Sequence, residues 1–176
     1  GNLIPIFIDV SDPQSIVEAF HQVTKHSQTL QGLVNNAGIA ISAPVEFVPI
    51  EELRRILEVN TIGQVAVTQA FLPLLRPSKG RIVMMSSISG RVSAPFFGAY
   101  SASKFALEAL SDSLRRELKP WGMQVSIVEG LSFLEPTLSL LGMDPFPHTA
   151  LVDAFELATA HIPPFPPSAP AIIAQI

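Results

Sequence analysis

Short apolar runs alternate with helix-length amphipathic stretches through most of this chain, and nothing else in it constrains the fold as tightly. Residues 3–8 are apolar, with branched and aromatic side chains, and stop at Asp9, as a strand would. Ser11-Asp12-Pro13 then opens a helix, with a capping side chain and a proline in the first turn. Ile16, Val17, Ala19, Phe20 and Val23 give that helix an apolar face. Residues 30–34 read as a second strand, closed by Asn35-Asn36-Ala37-Gly38. A long helix is expected over residues 50–75, with Pro73 and Pro77 ending it. Residues 81–85 form a third strand, apolar enough to expect burial on both faces. Residues 100–118 form a helix, and residues 124–129 a fourth strand. The order β-α-β-α-β-α-β argues an α/β fold on a parallel sheet.

Composition excludes several classes. Of the 176 residues, 48% are hydrophobic, too many for a disordered chain. The net charge of −4 provides no basic footprint for nucleic acid. There is no cysteine, hence no disulfide, Cys-zinc or thiolate chemistry. His21 and His26 do not share a helical face, and His148 and His161 sit among prolines, so no metal site is expected. No apolar run reaches bilayer-spanning length, and residues 2–5 carry no basic signal-peptide region, so a cytoplasmic protein is expected. Eight of the 16 prolines lie at or after Pro136, and no lysine or arginine follows Lys119. The expected division is an α/β domain over residues 1–156 and a proline-rich, irregular tail over 157–176.

Four features could carry chemistry. Tyr100 and Lys104 stand four apart near a helix start and so share a face. A nearby ammonium favours a phenolate, so the pair could be an acid/base tuned below tyrosine's ordinary range. Taken alone, such a spacing more often marks an amphipathic surface pair. Ser87 lies 13 residues before Tyr100, at the carboxyl end of the third strand, where open α/β sheets bind ligands. It could donate to a carbonyl oxygen or merely cap a loop. Asn35-Asn36-Ala37-Gly38 could let backbone approach a ligand, or be an ordinary turn. Asn60 is a poor helix former in mid-helix, compatible with a helix distortion that frees a carbonyl for water, or with a side chain satisfied by neighbouring backbone.

In order and spacing these pieces resemble the short-chain dehydrogenase/reductase family. The match runs over residues 3–129: Asn35-Asn36-Ala37-Gly38, Val59-Asn60, Gly80-Arg81-Ile82-Val83 leading to Ser86-Ser87, and Tyr100-x-x-x-Lys104. Residues 111–118 are similar to the retinol and hydroxysteroid dehydrogenase-like branch. The resemblance implies a Rossmann-like, doubly wound parallel sheet. It implies hydride exchange between NAD or NADP and a small alcohol/carbonyl substrate. Tyr100 would donate and accept the proton. Lys104 would lower its pKa and hold the nicotinamide ribose. Ser87 would polarise the carbonyl, and Asn60 would hold a relay water. Asp9, Val10, Asn36, Ala37 and Gly38 would line the dinucleotide cleft with Tyr100 and Lys104. A homodimer or homotetramer built on the two long helices is implied as well.

Two departures qualify this. The family's opening strand and glycine-rich phosphate turn have no counterpart here, and residues 3–8 match its third strand, so the first two βα units are expected to be missing. After Glu129 the family's Pro-Gly is replaced by Gly130-Leu131, and the pattern diverges, as truncation or a shifted reading frame would produce. The alternative function is therefore a catalytically impaired homologue acting only in assembly or binding. With the two strands that separate them in the family missing, residues 3–8 are expected to pair directly with residues 30–34.

Overall fold

The structure is a computed structural model and describes residues 4–130 and 171–174. Its core is a four-stranded, all-parallel sheet in the order β3-β2-β1-β4, formed by β1 (Gly32–Asn35), β2 (Arg81–Ser87), β3 (Gln124–Gly130) and β4 (Ala171–Ala174). The helices are α1 (Pro13–Thr24), α2 (Ile50–Leu57), α3 (Gly63–Leu75) and α4 (Gly98–Leu118). Leu33, Ile82 and Val125 are in register across three strands and buried on the face that meets the helices. Val34, Val83 and Ser126, in register on the opposite face, are half-buried, so β2 is not buried equally on both sides as its composition suggested.

Local sequence accounts for these elements. The Asp12 side chain accepts from Gln14 N–H at 2.9 Å and starts α1, with Pro13 in its first turn. Ile16, Ala19 and Val23 are buried, and the Phe20 ring meets Phe71 of α3 edge-on at 5.7 Å. The expected single helix over 50–75 is broken into α2 and α3 by a π turn, Glu58–Ile62. Gly63 follows it because a Cβ there would lie 2.5 Å from the Val10 carbonyl oxygen. Pro73 does not end the helix: it sits in the last turn, where it removes one N–H, and α3 runs on to Leu75.

The amino-terminal segment corrects the sequence expectation. Residues 4–9 form no strand and no ladder with β1; Leu3 lies outside the described residues. Ile8 and Val10 are buried and Ile6 packs on the same core, while Ile4 and Phe7 point to solvent, Phe7 being 81% exposed. The alternation is strand-like, but side-chain burial alone needs no hydrogen-bonded neighbour, and Pro5 has no N–H to offer. The edge of β1 is taken instead by β4, whose residues Ala171–Ala174 pair in parallel with Gly32–Asn35. This stretch of the proline-rich tail is thus a strand and not irregular chain; residues 157–170 lie outside the described residues.

Candidate active site

The site assembles at the carboxyl ends of β1 and β2. Ser87 closes β2, accepts from Ser89 N–H at 3.2 Å, and lies close enough to the Tyr100 phenol to draw its pKa down. Tyr100 and Lys104 project from the first turns of α4 and are both buried, at 2% and 5% exposure. Lys104 Nζ donates to the Met85 carbonyl at 2.8 Å and stands 5.7 Å from the Tyr100 ring centroid.

Asn60, in the π turn, is fully buried. Its Oδ1 accepts from Ile39 N–H at 2.8 Å, and its Nδ2 donates to Ile39 carbonyl at 2.8 Å and to Ser103 Oγ at 3.0 Å. Both amide hydrogens are spent on protein, so the side chain has no donor left for a relay water. Any such water falls to backbone, in keeping with the π turn, where the Gly63 N–H reaches back to Glu58. Ser103 completes the joint: its hydroxyl donates to Tyr100 carbonyl at 2.7 Å, and its own carbonyl accepts from Thr61 Oγ1 at 2.9 Å. The π turn is thereby bolted to the helix that carries Tyr100 and Lys104.

Buried amides also fix the loop after β1. Asn35 Nδ2 donates to Thr68 Oγ1 at 2.7 Å, and Gln64 Nε2 donates to the Ala37 carbonyl. Asn36 and Gly38 are exposed beyond that anchor, while Ala37 is buried. A Cβ on Gly38 would lie 3.5 Å from Asn60 Oδ1 and 3.7 Å from Lys104 Nζ, so the glycine backbone fronts the lysine directly. Asp9 is half-buried, and its carboxyl is held below its ordinary pKa by the hydroxyl and N–H of Ser11, which donate to Oδ1 at 2.6 and 2.9 Å. The Val10 side chain is core, leaving only its backbone to a ligand.

Burial raises the Tyr100 phenol above 10.0, and the Ser87 hydroxyl draws it partly back. The expected lowering by Lys104 is therefore not realised in this state. Burial also lowers Lys104, from 10.5 to about 8, against the pull of Glu108. Lys104 carries its charge at neutral pH, but weakly held. Sequence reasoning missed Ser103, Gln64, Thr68 and Glu108. The Lys104/Glu108 spacing of four was a signal available for the last of these.

These residues fit the nicotinamide-ribose end of a dinucleotide. Lys104 has donors left after Met85, and the side-chain-free Gly38 faces it. No Gly-x-Gly stands anywhere in the sequence for the pyrophosphate.

A parallel α/β sheet with a serine closing one strand, and a buried tyrosine and lysine one turn apart on the following helix, defines a Rossmann-like protein. Residues 1–133 match the family model described as short chain dehydrogenase. The chain is 45% identical over 140 residues to retinol dehydrogenase 5 of Mus musculus, covering 78% of this chain and 44% of that one. It is 48% identical over 106 residues to mitochondrial D-beta-hydroxybutyrate dehydrogenase of Mus musculus, covering 60% and 31%. A short-chain dehydrogenase from Streptomyces avermitilis superimposes with TM-score 0.73 at 30% identity, covering 95% of this chain and 69% of that one. This chain belongs to the short-chain dehydrogenase family. It spans less than half the length of the curated relatives it matches.

Proposed function

We propose that this chain carries the proton-exchanging half of an NAD- or NADP-dependent oxidoreductase acting on a small alcohol or carbonyl compound. The observation that carries the reading is the buried pair Tyr100 and Lys104 on α4, with Lys104 Nζ donating to the Met85 carbonyl two residues before Ser87 at the end of β2. When bound, the nicotinamide would supply or take the hydride. Ser87 would donate to the substrate oxygen and hold it against Tyr100. Tyr100 would give its phenolic proton to that oxygen in reduction and take it back in oxidation. Lys104 would stabilise the phenolate so formed and hold the ribose hydroxyls with its remaining donors. Asn60 would set the distance between the loop at Ile39 and the helix at Ser103. Retinol dehydrogenase 5 and D-beta-hydroxybutyrate dehydrogenase among the relatives, and an NADPH-bound carbonyl reductase from chicken fatty liver among the similar structures, support the substrate class and leave NAD and NADP both open.

A second reading, a homologue that binds or assembles without turnover, has one observation in its favour: burial raises the Tyr100 phenol instead of easing its proton exchange. Titration with NADH and with NADPH, followed by nicotinamide fluorescence, separates the two. Saturable binding of either supports the oxidoreductase; no binding at millimolar concentration supports the second reading.

A further inference from the structure

The end of the sheet opposite the site carries a charge pattern that the chemistry above does not use. In a parallel sheet each helix returns the chain to the starting edge, so the turns after α1, α3 and α4 gather at the amino ends of β1, β2 and β3. Hydrogen bonds tie the first two turns together. Leu30 N–H donates to the Leu74 carbonyl at 2.8 Å, Arg81 N–H to the Gln31 carbonyl at 3.0 Å, and the Ser78 hydroxyl to the Leu30 carbonyl. Exposed cations crowd this end: Lys25 after α1, Arg76 and Lys79 after α3, Arg116 and Lys119 at the close of α4. Among the described residues, Glu117 is the one acid in the last turns of these helices and the segments leading into the strands. The opposite end is acidic, with Asp9 and Asp12 before α1 and Glu51 and Glu52 in the first turn of α2. A chain of net charge −4 thus concentrates its positive charge on one end.

The same end presents Trp121, the single tryptophan of the chain, at 55% exposure. The Arg76 guanidinium stands 4.8 Å from its ring centre, as a cation on an indole face. Lys79 has φ 51°, a left-handed backbone that side-chain-bearing residues seldom adopt. Its stem runs against Gly122, where a Cβ would lie 3.3 Å from Lys79 Cδ. The turns at 76–80 and 119–122 therefore pack as one surface, an exposed indole among cations. Helix dipoles account for a cation in a last turn, such as Arg116. They account neither for Lys79, which lies in a turn, nor for an indole left in water.

We propose that this end docks on an anionic lipid surface, with Trp121 at headgroup level and Arg76, Lys79 and Lys119 on the lipid phosphates. Indole suits that depth, being an apolar ring with one polar N–H, and lysine and arginine lay apolar stems along the surface while their charges reach the headgroups. An anionic surface repels a chain of net charge −4 as a whole, so this end leads the approach and the acidic end points away. Ser87 and Tyr100, at the carboxyl ends of the strands, then open to water. No helix among the described residues is long and apolar enough to cross a membrane, so the contact is peripheral. Each lysine or arginine at such a surface contributes about fivefold in binding, and salt screens it.

The proposal is independent of the chemistry at Tyr100, and the lone tryptophan reports on it directly. The full chain is mixed with vesicles of phosphatidylcholine alone, or with one-third phosphatidylserine, at about 50 mM salt and at several times that concentration. Co-sedimentation measures binding, and Trp121 emission measures entry of the indole into the headgroup layer. The expected result is binding to the phosphatidylserine vesicles only, weakened by salt, with Trp121 emission moved to shorter wavelength. The double variant Lys79→Glu with Lys119→Glu changes two exposed side chains and is expected to bind at least about 25-fold more weakly. Arg54→Glu with Arg55→Glu makes the same change of net charge on exposed positions of α2, away from this end, and is expected to stay within about threefold of wild type. No binding to phosphatidylserine vesicles, equal binding to both kinds, an unmoved Trp121 emission, or equal losses in the two double variants would each overturn the proposal. Polyglutamate supplies an acidic polymer without a bilayer, and a Trp121 response to it but not to vesicles overturns the lipid assignment too.

Discussion

Asn60→Ala removes three hydrogen bonds from a side chain that no solvent reaches. Ile39 loses partners for both its N–H and its carbonyl, and Ser103 loses a donor to its hydroxyl. A net hydrogen bond contributes about 1 kcal/mol, and a buried group left unsatisfied costs about 1–3 kcal/mol. Alanine has the better helix propensity, by about 0.7 kcal/mol at most, which offsets little of this. The balance is a loss of roughly 2–4 kcal/mol, which for a chain of this size is about 5–15 °C in Tm. Asn60→Asp keeps the acceptor for Ile39 N–H but sets a carboxylate oxygen against the Ile39 carbonyl, so it is expected to be no milder. Urea unfolding followed by circular dichroism and by Trp121 fluorescence measures both variants. A loss below about 0.5 kcal/mol for Asn60→Ala would refute the reasoning, because it would mean the buried joint between loop and helix is not a source of stability.

Three other outcomes are expected. Gly63→Ala gains about 1 kcal/mol of helix propensity, but its methyl meets Val10 backbone at 2.5 Å, so a net loss of about 1–3 kcal/mol is expected in the same unfolding assay. Lys104→Met should stabilise the fold at neutral pH by about 1–3 kcal/mol, because it removes a buried charge. The folded pKa of Lys104, about 8, lies below its unfolded 10.5, so its penalty is full below pH 8 and relieved as pH rises towards 10.5. Wild type should therefore close the gap to Lys104→Met across that window, and a gap independent of pH would contradict it. A largely apolar groove of about 210 Å³ between α3 and α4 is lined by Val65, Leu72, Leu110 and Leu114, and α4 also leaves Phe105 exposed. A homodimer or homotetramer is expected on this face, and a monodisperse monomer mass in light scattering at tens of micromolar would count against it.

Helix starts and parallel strands could be read in advance because their signals are local: Asp12 before Pro13, Gly122 after the last turn following α4, branched residues in β2. Residues 4–8 misled because apolar content reports burial and not pairing. Ile6 and Ile8 do reach the core, yet the hydrogen bonds of β1 go to Ala171–Ala174, more than 130 positions away. Spacing singled out Tyr100, Lys104 and Ser87 as candidates, but the direction of the tyrosine's shift was not legible, because desolvation depends on what packs around the ring. Asn60 stood out as a helix misfit, whereas its partners Ile39 and Ser103 come from two distant segments that spacing does not connect. The ion pairs of Arg91 with Glu108 and Glu129 were hidden for the same reason.

The central claim is that Tyr100 exchanges the proton, and a single substitution addresses it. Tyr100→Phe removes the phenolic oxygen and leaves the ring in its buried place. Turnover would be followed by nicotinamide absorbance with a panel of small aldehydes, ketones and alcohols, on wild type and variant matched for melting behaviour. The expected result is wild-type turnover of at least one substrate and a loss of about a hundredfold or more in Tyr100→Phe, the scale of a missing general acid. A Tyr100→Phe protein that retains most of the wild-type rate would contradict the account.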